Sequence, residues 1–319
     1  MTLLVVATLL SLIGVPVLLM AWLLRRSESL VIWGVKAGAV TAATLALFDL
    51  GNWSMLSVYG RYGLLLVVTA ALVGGVRRMR RTPVWRRPEG WGWVRFGAAV
   101  LLLGAAGAAL WEVRGAQEVP PAPVELAFPM DRPPLYVASG GSRPLMNPHM
   151  KVGAPAFSAW RGQLWALDLV ALYPWGGRAR GLYPTQLDRF AIFGAPVYAP
   201  CAGSVVRVEG ALPDLTPPAR DTTNKAGNYV MVKCGPSAYV VLAHLQQGSV
   251  AVASGDSVAV GTRLGAVGNS GNSWEPHLHL HAQRGPGTAT PLDADPRPMT
   301  FGGRFLVRND VVEAGGTGR

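Results

Sequence analysis

Cysteine and histidine are scarce in this sequence. Its 319 residues hold two cysteines, Cys201 and Cys234, and five histidines. The cysteines lie too far apart for the close CxxC spacing of a zinc knuckle. No basic residue precedes the first apolar run, and three further apolar runs follow it. A cleaved secretory leader is therefore not expected. The stretch around Gly51-Asn52-Trp53 is nearly free of cations, which matters for orientation below.

Apolar residues are abundant. They make up 50% of the chain, with a mean hydropathy of +0.28, and they crowd into the first 115 positions. Thr2 to Leu24, Leu30 to Leu50, Ser54 to Val76 and Phe96 to Trp111 read as four helices. At about 1.5 Å per residue, the first three are long enough for a hydrocarbon core of roughly 30 Å. The fourth run is short, with Trp93 and Trp111 placed as interfacial anchors. Lys36 is positioned to snorkel, and Asp49 and Arg61 lie near span ends, so anchoring is a simpler role for the helices than sensing or transport.

Arg25, Arg26 and the cluster Arg77 to Arg87 follow the first and third runs. By the positive-inside rule these loops are cytoplasmic, and everything after the fourth helix lies outside. Residues 1–115 carry twelve Lys/Arg against four Asp/Glu, and the remainder seventeen against fourteen. The basic excess thus belongs to membrane-proximal loops that suit a lipid bilayer, and no nucleic-acid partner is expected. Pro120 to Pro134 carries six prolines and reads as a stiff extended tether, part of a lead-in segment over 116–160.

From Gln163 onward short apolar runs alternate with turn residues, the pattern of an all-β domain over 161–319. Expected strands are Trp165–Val170, Pro196–Ala199, Gly203–Glu209, Tyr229–Cys234, Ala238–His244, Ser257–Val260, Arg263–Val267 and His277–Ala282. Leu212–Gly227 reads as a long loop that could wall a binding groove. Cys201 and Cys234 both fall in this outside domain, where a disulfide would stabilise by roughly 3–4 kcal/mol on the chain-entropy model. The alternative is two small buried residues on neighbouring strands.

Pro276-His-Leu-His-Leu-His281 carries the most information. In a strand, side chains alternate between faces, so His277, His279 and His281 share one face while Leu278 and Leu280 share the other. Three imidazoles on one face suit a metal or a substrate. Asp168 stands alone among apolar neighbours, where a buried carboxylate needs a partner.

These pieces, with Gly194-Ala-Pro-Val-Tyr-Ala-Pro200, Leu242-Ala-His-Leu245, Gly255-Asp-Ser-Val-Ala-Val-Gly261 and Leu264-Gly-Ala-Val-Gly-Asn-Ser-Gly271, resemble the LytM/lysostaphin-type zinc metallopeptidases of family M23. That family cuts peptide cross-links in bacterial cell walls. The resemblance covers roughly Gln163 to Arg284. It implies an antiparallel all-β domain of the duplicated hybrid type, which joins the four-helix transmembrane bundle read over 1–115 from the apolar runs to make a multi-domain chain. It implies Zn2+ as cofactor, peptidoglycan peptides as substrate and the extracytoplasmic side of the bacterial inner membrane as location. Residue by residue, Asp168 and His279 match zinc ligands, and His277 and His244 match catalytic residues. The base is assigned to His277 and the oxyanion stabiliser to His244, and the two roles are exchangeable.

One position departs from the family. Its first motif is HxxxD, and Leu164 stands where the histidine belongs. His149 is expected to supply the third ligand from a loop, with His281 as the competitor. Leu164 also supports a second reading, a catalytically degenerate LytM-like domain that binds and regulates other cell-wall enzymes. Carrier barrels of the lipoyl or biotinyl type share the Gly255–Gly261 pattern but need a lysine at a hairpin tip, and Lys225 and Lys233 do not sit in one.

Overall fold

In the computed structural model, residues 2–131, 134–287 and 290–312 are described. The chain divides into two compact units, Met1–Arg114 and Gly115–Arg319.

The first unit is helical. α1 (Thr2–Leu9) continues through a π turn at Leu10–Gly14 into α2 (Val15–Leu24). Pro16 has no N–H to give to the preceding turn, and the helix widens immediately before it. α3 (Leu30–Leu50) begins at Ser29, whose hydroxyl accepts from the Ile32 N–H, an ordinary N-cap. α4 is Gly60–Met79 and α5 is Trp91–Gly115. Val5–Leu24, α3, α4 and α5 are long and apolar enough to cross a membrane. Leu23, Ala37, Val40, Val68 and Ala71 form a core between α2, α3 and α4.

Two expected spans shift. The third does not start at Ser54, because Trp53–Met55 forms a buried 3-10 turn. There the Trp53 indole N–H donates to the carbonyls of Leu47 and Phe48, covering the end of α3. The fourth helix has 25 residues rather than sixteen, since Arg95, Glu112 and Arg114 break an apolar run but not a helix. The Lys36 side chain is buried and reaches the end of α2, with Nζ donating to the Arg25 carbonyl at 2.7 Å.

The second unit is mostly antiparallel β. Its strands are β1 (Val124–Leu126), β2 (Leu135–Ser139), β3 (Leu167–Ala171), β4 (Pro196–Tyr198), β5 (Gly203–Glu209), β6 (Asn228–Lys233) and β7 (Tyr239–Leu245). Then follow β8 (Ser257–Val258), β9 (Arg263–Ala266), β10 (Leu278–Gln283), β11 (Pro296–Arg297), β12 (Met299–Phe301) and β13 (Val311–Val312). The main sheet has nine strands in the order β13-β2-β3-β10-β7-β6-β5-β8, with β11 on the end of β10. β4 and β9 form a second, two-stranded sheet, and β1 runs parallel to β12 in a third.

The Pro120 to Pro134 stretch is not a free tether. It supplies β1, and Leu126 and Met130 sit in the core. Its prolines fall outside the three-residue ladder, so they cost it no hydrogen bond. β2 then joins the main sheet beside β3.

Alternation along the strands divides the side chains between two layers. Leu167, Leu169, Val240, Leu242, Leu278 and Leu280 pack with Val197, Leu264 and Val267 of the smaller sheet and its flank. Met231, Val241, Ala243 and Leu292 cluster separately. Cys201 and Cys234 are joined in a disulfide, with Cα atoms 5.7 Å apart. Leu280 is fully buried in the first layer. Leu280→Ala is expected to cost about 2–5 kcal/mol by loss of transfer energy and cavity formation, measured by chemical denaturation of the β domain's signal.

Candidate metal centre

Pairing of β3 with β10 places Asp168 directly opposite His279. Paired residues share a sheet face, and Asp168 Oδ1 lies 3.0 Å from His279 Nδ1. Two residues earlier on β10's approach, His277 Nε2 lies 3.4 Å from Asp168 Oδ1. His149 enters from outside the sheet, on a 3-10 turn at Pro148–Gly153, with Nε2 3.7 Å from Asp168 Oδ2. His244 closes the group, its ring centroid 4.8 Å from that of His277 and 5.6 Å from that of His279. Two sets of three possible ligands emerge, His149-Asp168-His279 and His244-His277-His279.

Each imidazole is held by its far nitrogen. His149 is fixed by Asn147, a fully buried side chain whose Nδ2 donates to the carbonyls of Gly141 and Ala166. Its Oδ1 is therefore the acceptor, taking both the His149 N–H and the Nδ1–H, the latter at 3.0 Å. His277 Nδ1–H donates to the Glu275 carbonyl at 2.8 Å, and His244 Nδ1–H to the Ser270 carbonyl at 2.8 Å. His281 Nε2–H donates to the Pro291 carbonyl at 3.3 Å, leaving His281 Nδ1 to accept from His279 Nε2–H at 3.1 Å. In the neutral rings these bonds fix the tautomers. Nε2 of His149 and His277 and Nδ1 of His279 then present lone pairs toward a carboxylate, with no proton between them.

Such a convergence of acceptors is repulsive unless a metal ion lies among them or a proton sits on His277 Nε2. Four ligands around zinc at about 2.0–2.1 Å stand roughly 3.3 Å apart. The separations of 3.0 and 3.7 Å from Asp168 to His279 and His149 bracket that value. The residues present therefore fit a tetrahedral divalent ion with a nitrogen and oxygen donor set. His281 is absent from both ligand sets; it touches the other side of His279, an outer-layer position that orients a ligand.

Leu164 sits at the end of a turn over Pro155–Gln163, with Cδ1 beside Gly153. It thus packs at the end of the turn that carries His149. An apolar side chain stands beside the segment that brings the His149 imidazole to Asp168.

His244 has φ +61°, a region that costs a branched-free side chain of order 1–3 kcal/mol. Its N–H donates to Ala226 and its carbonyl accepts from Gly268, which hold it there. The Ser270 carbonyl that fixes its ring is itself set by a tight crossing. At Gly227 (φ +61°) a Cβ would lie 2.4 Å from the Ser270 carbonyl carbon, so only glycine fits. The expected groove loop leads into this crossing: Asp214 Oδ1 accepts from Asn269 N–H, and Asn269 Nδ2 donates to Leu215.

Sequence reasoning missed the support for His277. Arg178 is almost fully buried, and its Nε and Nη2 grip both oxygens of Glu275 at 2.6 and 2.5 Å, a paired geometry suited to guanidinium. The 97 residues between the partners left no local pattern to find.

Residues 185–293 match the model of Peptidase family M23. The match takes in four of the five histidines and leaves Asp168 and His149 outside it. No curated protein matches the chain. Among solved structures, a zinc containing peptidase from Vibrio cholerae aligns at 22% identity, with 53% of this chain and 39% of that one covered and a TM-score of 0.31. A putative peptidase M23 from Pseudomonas aeruginosa aligns at 22%, with 56% and 54% covered and a TM-score of 0.29. The peptidase lysostaphin from Staphylococcus simulans aligns at 18%, with 45% and 43% covered and a TM-score of 0.27. The chain thus spans about half or less of each of these relatives.

Burial shapes the protonation of the centre. It lowers His149 to about 4, against the opposing pull of Asp168. Burial, then the charge of His277 and His279, holds His244 well below the ordinary value, and burial does the same to His281. For His277 burial works downward but is outweighed by Asp168, so the net shift is upward. Burial would raise Asp168, yet His149 and His277 together hold it well below 3.8.

The three depressed histidines stay neutral in the folded state but take up protons below pH 6.5 once unfolded. Each therefore adds stability above pH 6.5 that is lost as pH falls, by at most about 1.4 kcal/mol per pH unit. His277 acts with the opposite sign, and Asp168 contributes only nearer its unfolded value. The thermal midpoint of the metal-free protein is expected to be lower at pH 5 than at pH 7; an equal or higher midpoint contradicts this assignment.

Proposed function

We propose that this chain is a membrane-anchored zinc endopeptidase that hydrolyses peptide bonds of bacterial peptidoglycan. The observation that carries the reading is the set of inward-facing nitrogen lone pairs around Asp168, each locked by a hydrogen bond on its far side. The M23 match over 185–293 supports the reaction class. Four helices of spanning length support a multi-pass anchor in the inner membrane, and the arginine distribution favours an extracytoplasmic catalytic domain.

His149, Asp168 and His279 would hold the ion. Bound zinc would polarise the scissile carbonyl and lower the pKa of an attacking water. His277, gripped by the Glu275 carbonyl, has Nε2 free to take the proton from that water and pass it to the leaving amine. His244 is assigned to stabilise the developing oxyanion, which it would do from Nε2 only as an imidazolium; in the neutral ring held by Ser270 that nitrogen is a lone pair suited to the base, and the two roles remain exchangeable. His281 orients His279 through its ring nitrogen. Arg178 and Glu275 keep His277 in place.

The competing reading, a degenerate domain that binds and regulates other cell-wall enzymes, rests on Leu164. The convergence of His149 on Asp168 weighs against it, since another segment brings an imidazole to the carboxylate in spite of Leu164.

Two measurements test these assignments. In the purified full chain, His149→Ala is expected to lose most bound zinc, while His281→Ala keeps most of it; full retention in His149→Ala removes His149 from the ligand set. The wild type is expected to release soluble fragments from isolated peptidoglycan, to stop with a chelator and to resume with added zinc. His277→Ala is expected to slow release by about 10²–10⁴-fold with zinc retained. A fully zinc-loaded wild type that releases nothing favours the regulatory reading.

A further inference from the structure

The helical unit contains a cavity of about 220 Å³ that the peptidase reading does not use. It lies where the end of α2 meets the first turns of α3 and α5. Four cations line it, Arg25, Arg26, Lys36 and Arg95, against one carboxylate, Glu28. Lys36 is decisive. Only 5% of it is exposed, and its ammonium has three N–H groups but a single acceptor, the Arg25 carbonyl. Among the described residues no carboxylate pairs with it. A buried ammonium left this way is costly; the Trp22 ring centroid lies 5.9 Å from it.

Further features favour an anion here. α3 and α5, of 21 and 25 residues, both begin at this cavity; the first N–H groups of α3 are already bonded to Ser29, Pro83 and Val84, so these termini contribute only their partial positive field. The place is the end of an apolar span, where α2 gives way to Arg25-Arg26. Size narrows the ligand. Pockets that enclose a drug-sized molecule measure roughly 300–1,000 Å³, so this one would admit a phosphate-bearing headgroup and leave acyl chains outside. Trp22 offers those chains an apolar wall at the rim.

We propose that this cavity is a binding site for the headgroup of an anionic phospholipid, with Lys36 and Arg95 as its principal phosphate contacts. Basic pockets between membrane helices suit such headgroups. The test uses the full chain in detergent micelles, with retained lipid counted by native mass spectrometry. Phosphatidylglycerol is expected to be retained at least tenfold more tightly than phosphatidylcholine. Arg95→Gln, an exposed position that does not threaten folding, and Lys36→Met are each expected to weaken phosphatidylglycerol binding about fivefold. Arg86→Gln, outside the cavity, is expected to leave it unchanged. Equal retention of the two lipids, undiminished binding in both cavity variants, or a loss as large in Arg86→Gln would overturn the site. A rise in thermal midpoint with inorganic phosphate equal to that with phosphatidylglycerol would overturn the lipid as its source.

Discussion

The register between β3 and β10 is the constraint on which the centre depends. Asp168 faces His279 because Leu167 pairs with Leu280 and Leu169 with Leu278. Those leucines are fully or almost fully buried in the opposite layer. A slip of one residue would bury the polar set among them and expose the leucines. The packing of one face thus fixes the chemistry of the other. No side chain in the centre needs to choose its own position, since the apolar layer has already done so.

A second tier of restraint acts on the rings. Strand register brings the imidazoles close but does not turn them. The Asn147 amide and the carbonyls of Ser270, Glu275 and Pro291 do that, each by taking a proton on the far side of a ring. Three of these four partners lie within four residues or a single strand pairing of the segment that bears their histidine, or follow it closely. His244 is different, because its holder is reached across a glycine crossing and at the cost of an unusual backbone angle. That concentration of restraint on His244 is consistent with a ring that acts rather than one that merely ligates.

Much of this was legible in the sequence. The eight strands expected between 165 and 282 all occur, with ends moved by a few residues, because alternating apolar positions report directly on a half-buried sheet. His277, His279 and Asp168 were readable from spacing and isolation. The disulfide was readable from the company its cysteines keep. Hidden were β1, β2, β11, β12 and β13; all but β2 have two or three residues, and β1 and β2 pair with β12 and β13 from the far end of the domain. Proline density masked the first of these entirely. The contact of His281 with the far nitrogen of His279 was also hidden, since strand spacing alone made His281 a rival ligand. The Arg178–Glu275 pair and the Asn147 clamp depend on tertiary approach, which no local pattern encodes.

The edge pairings have a consequence for how the β domain is made. β1 and β2, its first strands, are matched with β12 and β13, its last. His149 lies on the stretch between β2 and β3. During synthesis β1 therefore waits without any strand partner, and β2 with only β3 beside it, until residues near 300–312 have emerged. Such distant matching delays closure and exposes strand edges meanwhile. The cluster around Asp168 would therefore be completed late, after the last strands of the β domain are available.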